Sequence, residues 1–251
     1  MFNLQHILYM LISGLLTVAL MVIFAIFLKT ENSKSKVLRF FAIITVIIHY
    51  SSIWVDYFKN GSAMVENGQI LPVYPCNVVM WCLLIASLIK NKKSSLFILL
   101  AEFCLYVGTI CGIVGVVYNI NFGNNPTLTD YNVLKGLLSH STMVFGCIYL
   151  KVSGLVKFRV TGAFSSLVGI GIFVISGLLV NALYKAFDMV SPDGMFLISN
   201  PYIPFTPWLL ALVVVAALFS VQLLYENKCL EKEERTLEKI KTKCKKIHKN
   251  K

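Results

Sequence analysis

The chain has 251 residues, 57% of them hydrophobic and only 14% charged. A soluble domain carries about a quarter charged residues, so a water-soluble globular protein is excluded. The net charge of +11 does not mark nucleic-acid binding: ten of the 23 Lys and Arg residues lie in Lys228–Lys251 and most of the others flank apolar runs.

Uncharged apolar stretches of ~18 residues or more read as membrane-spanning helices. Seven segments fit, at Ile7–Leu28, Phe40–Tyr57, Tyr74–Ile89, Ser95–Val117, Leu134–Leu150, Ala163–Tyr184 and Trp208–Tyr225. The expected fold is all-α, a polytopic seven-helix membrane domain over residues 1–225 with a basic tail over 226–251. No apolar/polar alternation of the β-barrel kind is present. The first segment is not expected to be a signal peptide, because no Lys or Arg precedes it. The third and fifth segments are short, which leaves room for tilt or an unwound end.

Lys29, Lys34, Lys36 and Arg39 follow the first segment, Lys90, Lys92 and Lys93 the third, and Lys151, Lys157 and Arg159 the fifth. The remaining connections and segment edges carry only Lys59, Lys135 and Lys185. The positive-inside rule puts the first group and the tail in the cytoplasm and the N-terminus outside. Leu230, Leu237, Ile240, Cys244 and Ile247 form a thin apolar stripe in the tail. It is expected to be helical or disordered, either lying on anionic inner-leaflet lipids or solvated. Seven cysteines without CxxC or metal-type spacing imply neither a disulfide framework nor a metal site. No cofactor is expected, and the oligomeric state is not legible.

At ~1.5 Å per helical residue, His49 in the second segment lies about 13 Å below the outer end, and His140 in the fifth about 9 Å. Cys76 and Asn77 occupy the first turn of the third segment, and Asn181 lies near the outer end of the sixth. Polar groups inside spans face a bundle interior or a wet cavity. Four segments therefore direct these residues toward an outer-leaflet pocket. A thiol at a helix N-terminus, paired with a histidine base, is the minimum for nucleophilic catalysis. His140 matches Cys76 in depth better than His49 does, and Ser139 and Ser141 are candidates to orient its ring. Asn77 and Asn181 are candidate hydrogen-bond donors to an oxyanion or a headgroup. The plainer reading is a packing thiol with histidines that bond across helices. Glycines 108, 112 and 115 in the fourth segment, and 162, 169, 171 and 177 around the sixth, permit close helix approach. Glu102 is given no chemistry. The connection Lys185–Pro207, rich in proline and apolar residues, reads as a re-entrant or interfacial hairpin capping the outer face.

Leu71-Pro72-Val73-Tyr74-Pro75-Cys76-Asn77 opening the third segment, Ser139-His140-Ser141, Asn181, and Asp193-Gly194-Met195-Phe196-Leu197 before a Pro-rich re-entry resemble the YwaF-type seven-helix membrane proteins. The resemblance covers roughly residues 35 to 225. That family includes a eukaryotic transmembrane acyltransferase branch that moves fatty acyl chains between phospholipids through a cysteine and a histidine. By position these are Cys76 and His140. The residue two before the cysteine, often histidine there, is Tyr74. The resemblance implies catalytic Cys76 and His140, with Asn77, Asn181, Tyr74 and His49 in substrate binding. It also implies membrane phospholipids as partners and, with the Lys-, Ile- and Asn-rich composition, a bacterial plasma membrane. The alternative is a non-enzymatic transport or ligand-binding component. No inverted repeat or GxxxxGK[ST] motif supports it.

Overall fold

A computed structural model describes residues 3–60, 71–119, 122, 127–188, 194–197 and 207–249, and among these every regular element is helical. Among the described residues six helices are long and apolar enough to cross a membrane: α1 (Leu4–Phe27), α2 (Glu31–Asn60), α4 (Ser95–Val117), α5 (Tyr131–Val152), α6 (Thr161–Ala186) and α7 (Pro207–Cys229). A shorter apolar helix, α3 (Pro75–Leu88), spans 14 residues. The tail helix α8 covers Thr236–Lys249.

The second expected segment begins too late. Lys34, Lys36 and Arg39 lie within α2 rather than in a loop, because Thr30 starts the helix ahead of them. Its Oγ1 accepts the Ser33 N–H (3.2 Å) and its carbonyl the Lys34 N–H (3.1 Å). A side-chain oxygen at that position satisfies orphan N–H groups, and charge does not stop a capped helix.

The core runs through α3, α4, α5 and α6, with α2 packed along α5 and α3. Phe41 of α2 stacks on Phe145 of α5 with ring centroids 3.8 Å apart. By contrast α1 and α7 turn most of their apolar side chains outward: Leu15 is 71% exposed and Val213 58%. In a bilayer such faces meet lipid tails.

Within α4 the segment Cys104–Gly108 is a π-turn, an insertion that shifts the helix register. Before it Phe103 lies over Gly169, and within it Tyr106 lies over Gly162, both of α6. At its end Gly108 meets Val79 of α3 and Cys147 of α5, and beyond it Gly112 and Gly115 lie against α5. A methyl group on Gly108, Gly112, Gly115, Gly162, Gly169 or Gly177 would come within 3 Å of a neighbouring atom. These six of the seven expected glycines carry close approach, and Gly146 of α5 does the same against Leu83 of α3. Gly171 does not, since nothing lies within 4 Å of the space its side chain would fill.

Buried hydroxyls are absorbed locally. Thr45, Thr109 and Ser166 donate to the carbonyls of Phe41, Leu105 and Gly162, four residues earlier in each case. Glu102 accepts from Thr161 (2.6 Å) and Ser165 (2.7 Å), which ties α4 to α6. Glu226 of α7 accepts the Val160 N–H (2.8 Å) and both the N–H (2.6 Å) and hydroxyl (2.7 Å) of Thr236. One carboxylate thus caps the start of α6 and fixes α8 to the bundle.

Candidate functional site

Proline at the first position of α3 costs no hydrogen bond, since that N–H would be unpaired anyway. Tyr74, the N-cap, is extended; its carbonyl accepts the Asn77 N–H and its own N–H donates to Asn77 Oδ1, both at 3.0 Å. This reciprocal closure fixes the turn that carries Cys76. The thiol is half-buried, and the backbone N–H groups of Asn77 and of Cys76 itself lie near the sulfur.

Asn77 is 2% exposed and uses its other end as well: Nδ2 donates to His49 Nε2 at 2.8 Å. His49 is held from α2 onto the residue next to the cysteine, with Nε2 as acceptor. His140 on α5 lies within electrostatic range of His49. Its Nδ1 donates to the Gly136 carbonyl at 2.7 Å, one helical turn back. That bond makes Nε2 the unprotonated nitrogen. The Nε2 edge packs over Gly115 of α4, where a methyl group would lie 2.3 Å from it.

Further polar contacts seam α2 to α5. The Thr45 and Thr142 hydroxyls meet at 2.9 Å, Lys135 Nζ donates to Ser52 (3.2 Å) and the Tyr131 hydroxyl to Ser51. Lys135 also lies within electrostatic range of both His49 and His140. This cation enters the sequence reading only as a loop charge. Five residues before His140, it stands about 140° away around the helix, so its spacing carries no signal that would have found it.

The structure therefore brings Cys76, Asn77, His49 and His140 to one end of the bundle, opposite the lysine-rich connections. Among the described residues, the Cys76 thiol has no hydrogen bond to either ring. Ser139 and Ser141 do not orient His140: Ser139 donates to the Gly136 carbonyl, and Ser141 pairs with the Tyr9 hydroxyl of α1, each at 3.0 Å. The Gly136 carbonyl orients the ring instead.

Asn181 holds the chain after α6, its Oδ1 accepting the Gly194 N–H at 2.7 Å. The next N–H, of Met195, donates to the carbonyl of Val73 just before α3, also at 2.7 Å. Met195 is fully buried with φ +57, a left-handed conformation uncommon for a side chain of this kind. Backbone outside helices is tolerated in a membrane where protein groups satisfy it, as in this segment. Of the expected connection residues 185–188, 194–197 and 207 are described; residues 189–193 and 198–206 lie outside the described residues.

Five cysteines of α3, α4 and α5 form a second group that spacing did not reveal. Cys104 lies near Cys82, Cys111 and Cys147, and Cys111 near Cys76. Cys82, Cys104 and Cys147 are buried, and the Cys104 thiol approaches the Val79 carbonyl at 3.8 Å. Among the described residues no group of three His, Cys, Asp or Glu side chains is arranged to hold a metal.

The model of the TMEM164 family matches residues 1–225, and the chain belongs to that family. No curated protein and no solved structure matches the chain.

Proposed function

We propose that this TMEM164-family chain is a multi-pass lipid acyltransferase of a bacterial plasma membrane, with Cys76 as nucleophile and His140 as base. Its site opens to the outer leaflet, and both the N-terminus and the start of α3 lie on that side. The observation that carries the reading is the convergence at the first turn of α3: a cysteine among helix N–H groups, beside an asparagine bonded to His49, with His140 close by. The resemblance to the acyltransferase branch of the YwaF-type proteins supports the same assignment.

In this mechanism His140 Nε2 takes the Cys76 proton, and the sulfur attacks the carbonyl carbon of a phospholipid ester. The tetrahedral intermediate collapses to a Cys76 thioester. The lysophospholipid oxygen leaves, taking the proton from His140. An acceptor hydroxyl then gives its proton to His140 and attacks the thioester, which releases the acylated product and returns the proton to sulfur. The N–H groups of the first turn of α3 stabilise the thiolate and the oxyanion. A pocket within the bilayer admits the acyl donor laterally and limits hydrolysis of the thioester. Asn77 and His49 position the turn, Tyr74 replaces the histidine often found in the family resembled, and Asn181 anchors the chain over the entrance.

The test is acyl transfer between phospholipids in proteoliposomes. Cys76→Ala abolishes transfer and labelling by a thiol-reactive lipid probe, while the helical content of the protein is unchanged. Undiminished transfer by that variant sinks the mechanism, and a substrate-dependent flux without transfer favours the non-enzymatic reading. On the opposite face, the basic tail rests on anionic inner-leaflet lipids, each Lys contributing about 1 kcal/mol near the surface.

A further inference from the structure

The three lysine-rich connections converge on one cavity of about 530 Å³, within the range that holds small ligands. Lys29 comes from between α1 and α2, Lys34 from the first turn of α2, Lys92 and Lys93 from between α3 and α4, and Lys157 and Arg159 from between α5 and α6. Only two carboxylates line it, Glu31 and Glu102, and the oxygens of Glu102 already accept from Thr161 and Ser165. Among the described residues none of the six cations forms a salt bridge. Lys92 is 7% exposed, with Nζ donating to the last carbonyls of α3, Ala86 and Ser87, at 3.1 Å each. Arg159 donates to the Glu234 carbonyl of the tail. The ammonium groups of the other four have no hydrogen-bond partner among the described residues.

Membrane topology calls for positive charge on each of these connections but not for their meeting in one hollow. Like charges brought together repel, so the convergence costs free energy unless an anion offsets it. Burial, and then the nearby Arg39 guanidinium, hold the Lys92 pKa below the usual lysine range, with Glu31 opposing. Three further lining residues, Ile98, Leu155 and Val156, are apolar. A hollow with cations around an apolar wall fits a phosphate that carries or adjoins an apolar group, and Arg and Lys donors are the usual phosphate partners.

We infer that this cavity is a phosphate-binding site, built by Lys29, Lys34, Lys93, Lys157 and Arg159 around the buried Lys92, for an anionic headgroup or a soluble phosphate compound. It lies at the opposite end of α3 from Cys76 and stands apart from the acyl-transfer reading.

The experiment is calorimetric titration of the full chain in a neutral detergent with three probes: phosphatidylglycerol and phosphatidylcholine, each dissolved in that detergent, and inorganic phosphate. Saturable 1:1 binding of phosphatidylglycerol but not phosphatidylcholine assigns a lipid headgroup, and saturable binding of inorganic phosphate assigns a soluble source. Either affinity falls about tenfold or more in Lys93→Glu/Lys157→Glu, whose altered side chains are exposed and form no salt bridge among the described residues. Charge reversal in the tail, Lys245→Glu/Lys246→Glu, leaves the saturable component in place. Absence of saturable binding for both anionic probes, equal binding by wild type and the cavity variant, or loss of binding on reversing the tail charges overturns the site. Unchanged thermal unfolding of the cavity variant separates lost binding from lost folding.

Discussion

At its first turn α3 presents N–H groups to the Cys76 sulfur and receives the Asn77 side-chain oxygen, while at its last turn its carbonyls accept the Lys92 ammonium. The two ends follow the helix dipole, which favours electron-rich groups at the N-terminus and cations at the C-terminus. They differ in how the surrounding chain completes them. Around the first turn most partners are neutral and hydrogen-bonded, with Asn77 to His49, His140 to Gly136 and Asn181 to Gly194, and the nearby cation, Lys135, donates to Ser52. Around the last turn charge is gathered and left unbalanced. On the proposed readings one end serves chemistry on a neutral ester and the other binds an anion. At 14 residues, about 21 Å, α3 is shorter than a bilayer core.

Substitutions at the two ends separate them by different amounts. Gly115→Ala has the largest expected effect among those outside Cys76, because the new methyl group overlaps the Nε2 edge of His140. Acyl transfer falls by about 10²–10⁴-fold, the range supplied by a general base. Gly171→Ala, with open space around it, is the matched control and leaves transfer within about twofold while tending to stabilise α6. Equal losses in both variants contradict the placement of His140.

Asn77→Ala comes next. It leaves the Tyr74 N–H and His49 Nε2 without their partner, costing about 1–3 kcal/mol for each buried group left unpaired. The expected result is a lower unfolding midpoint together with slower labelling of Cys76 by a thiol reagent. Lys92→Met has the smallest effect, about 0.3–1 kcal/mol from the lost cation at a helix C-terminus. It leaves the labelling rate of Cys76 unchanged. A changed rate in that variant shows that the two ends of α3 are coupled rather than independent.

Much of the helical frame is legible in the sequence, because long apolar runs in lipid have few alternatives to helix. The boundaries of α4 match the expected segment at both ends. At α2 the reading fails, since absence of charge marks a span but not a helix, and Thr30 launches α2 among charged residues. The π-turn at Cys104–Gly108 has no signature in composition or period. At the site, depth arithmetic groups Cys76, Asn77, His49 and His140, yet depth says nothing about facing around an axis. The pairing of Asn77 with His49 rather than with a ligand, and the turning of His140 by Gly136 rather than by its flanking serines, follow from packing between helices. Likewise the lysines are plain in the sequence, but their convergence is a property of three connections meeting in space.

Mass spectrometry of the protein purified from its membrane reads the proposed chemistry at the sulfur itself. A nucleophilic Cys76 carries a fatty acyl adduct that hydroxylamine removes and that Gly115→Ala diminishes. An unmodified Cys76 after incubation with phospholipid donor, under conditions where acyl transfer proceeds, would contradict that role.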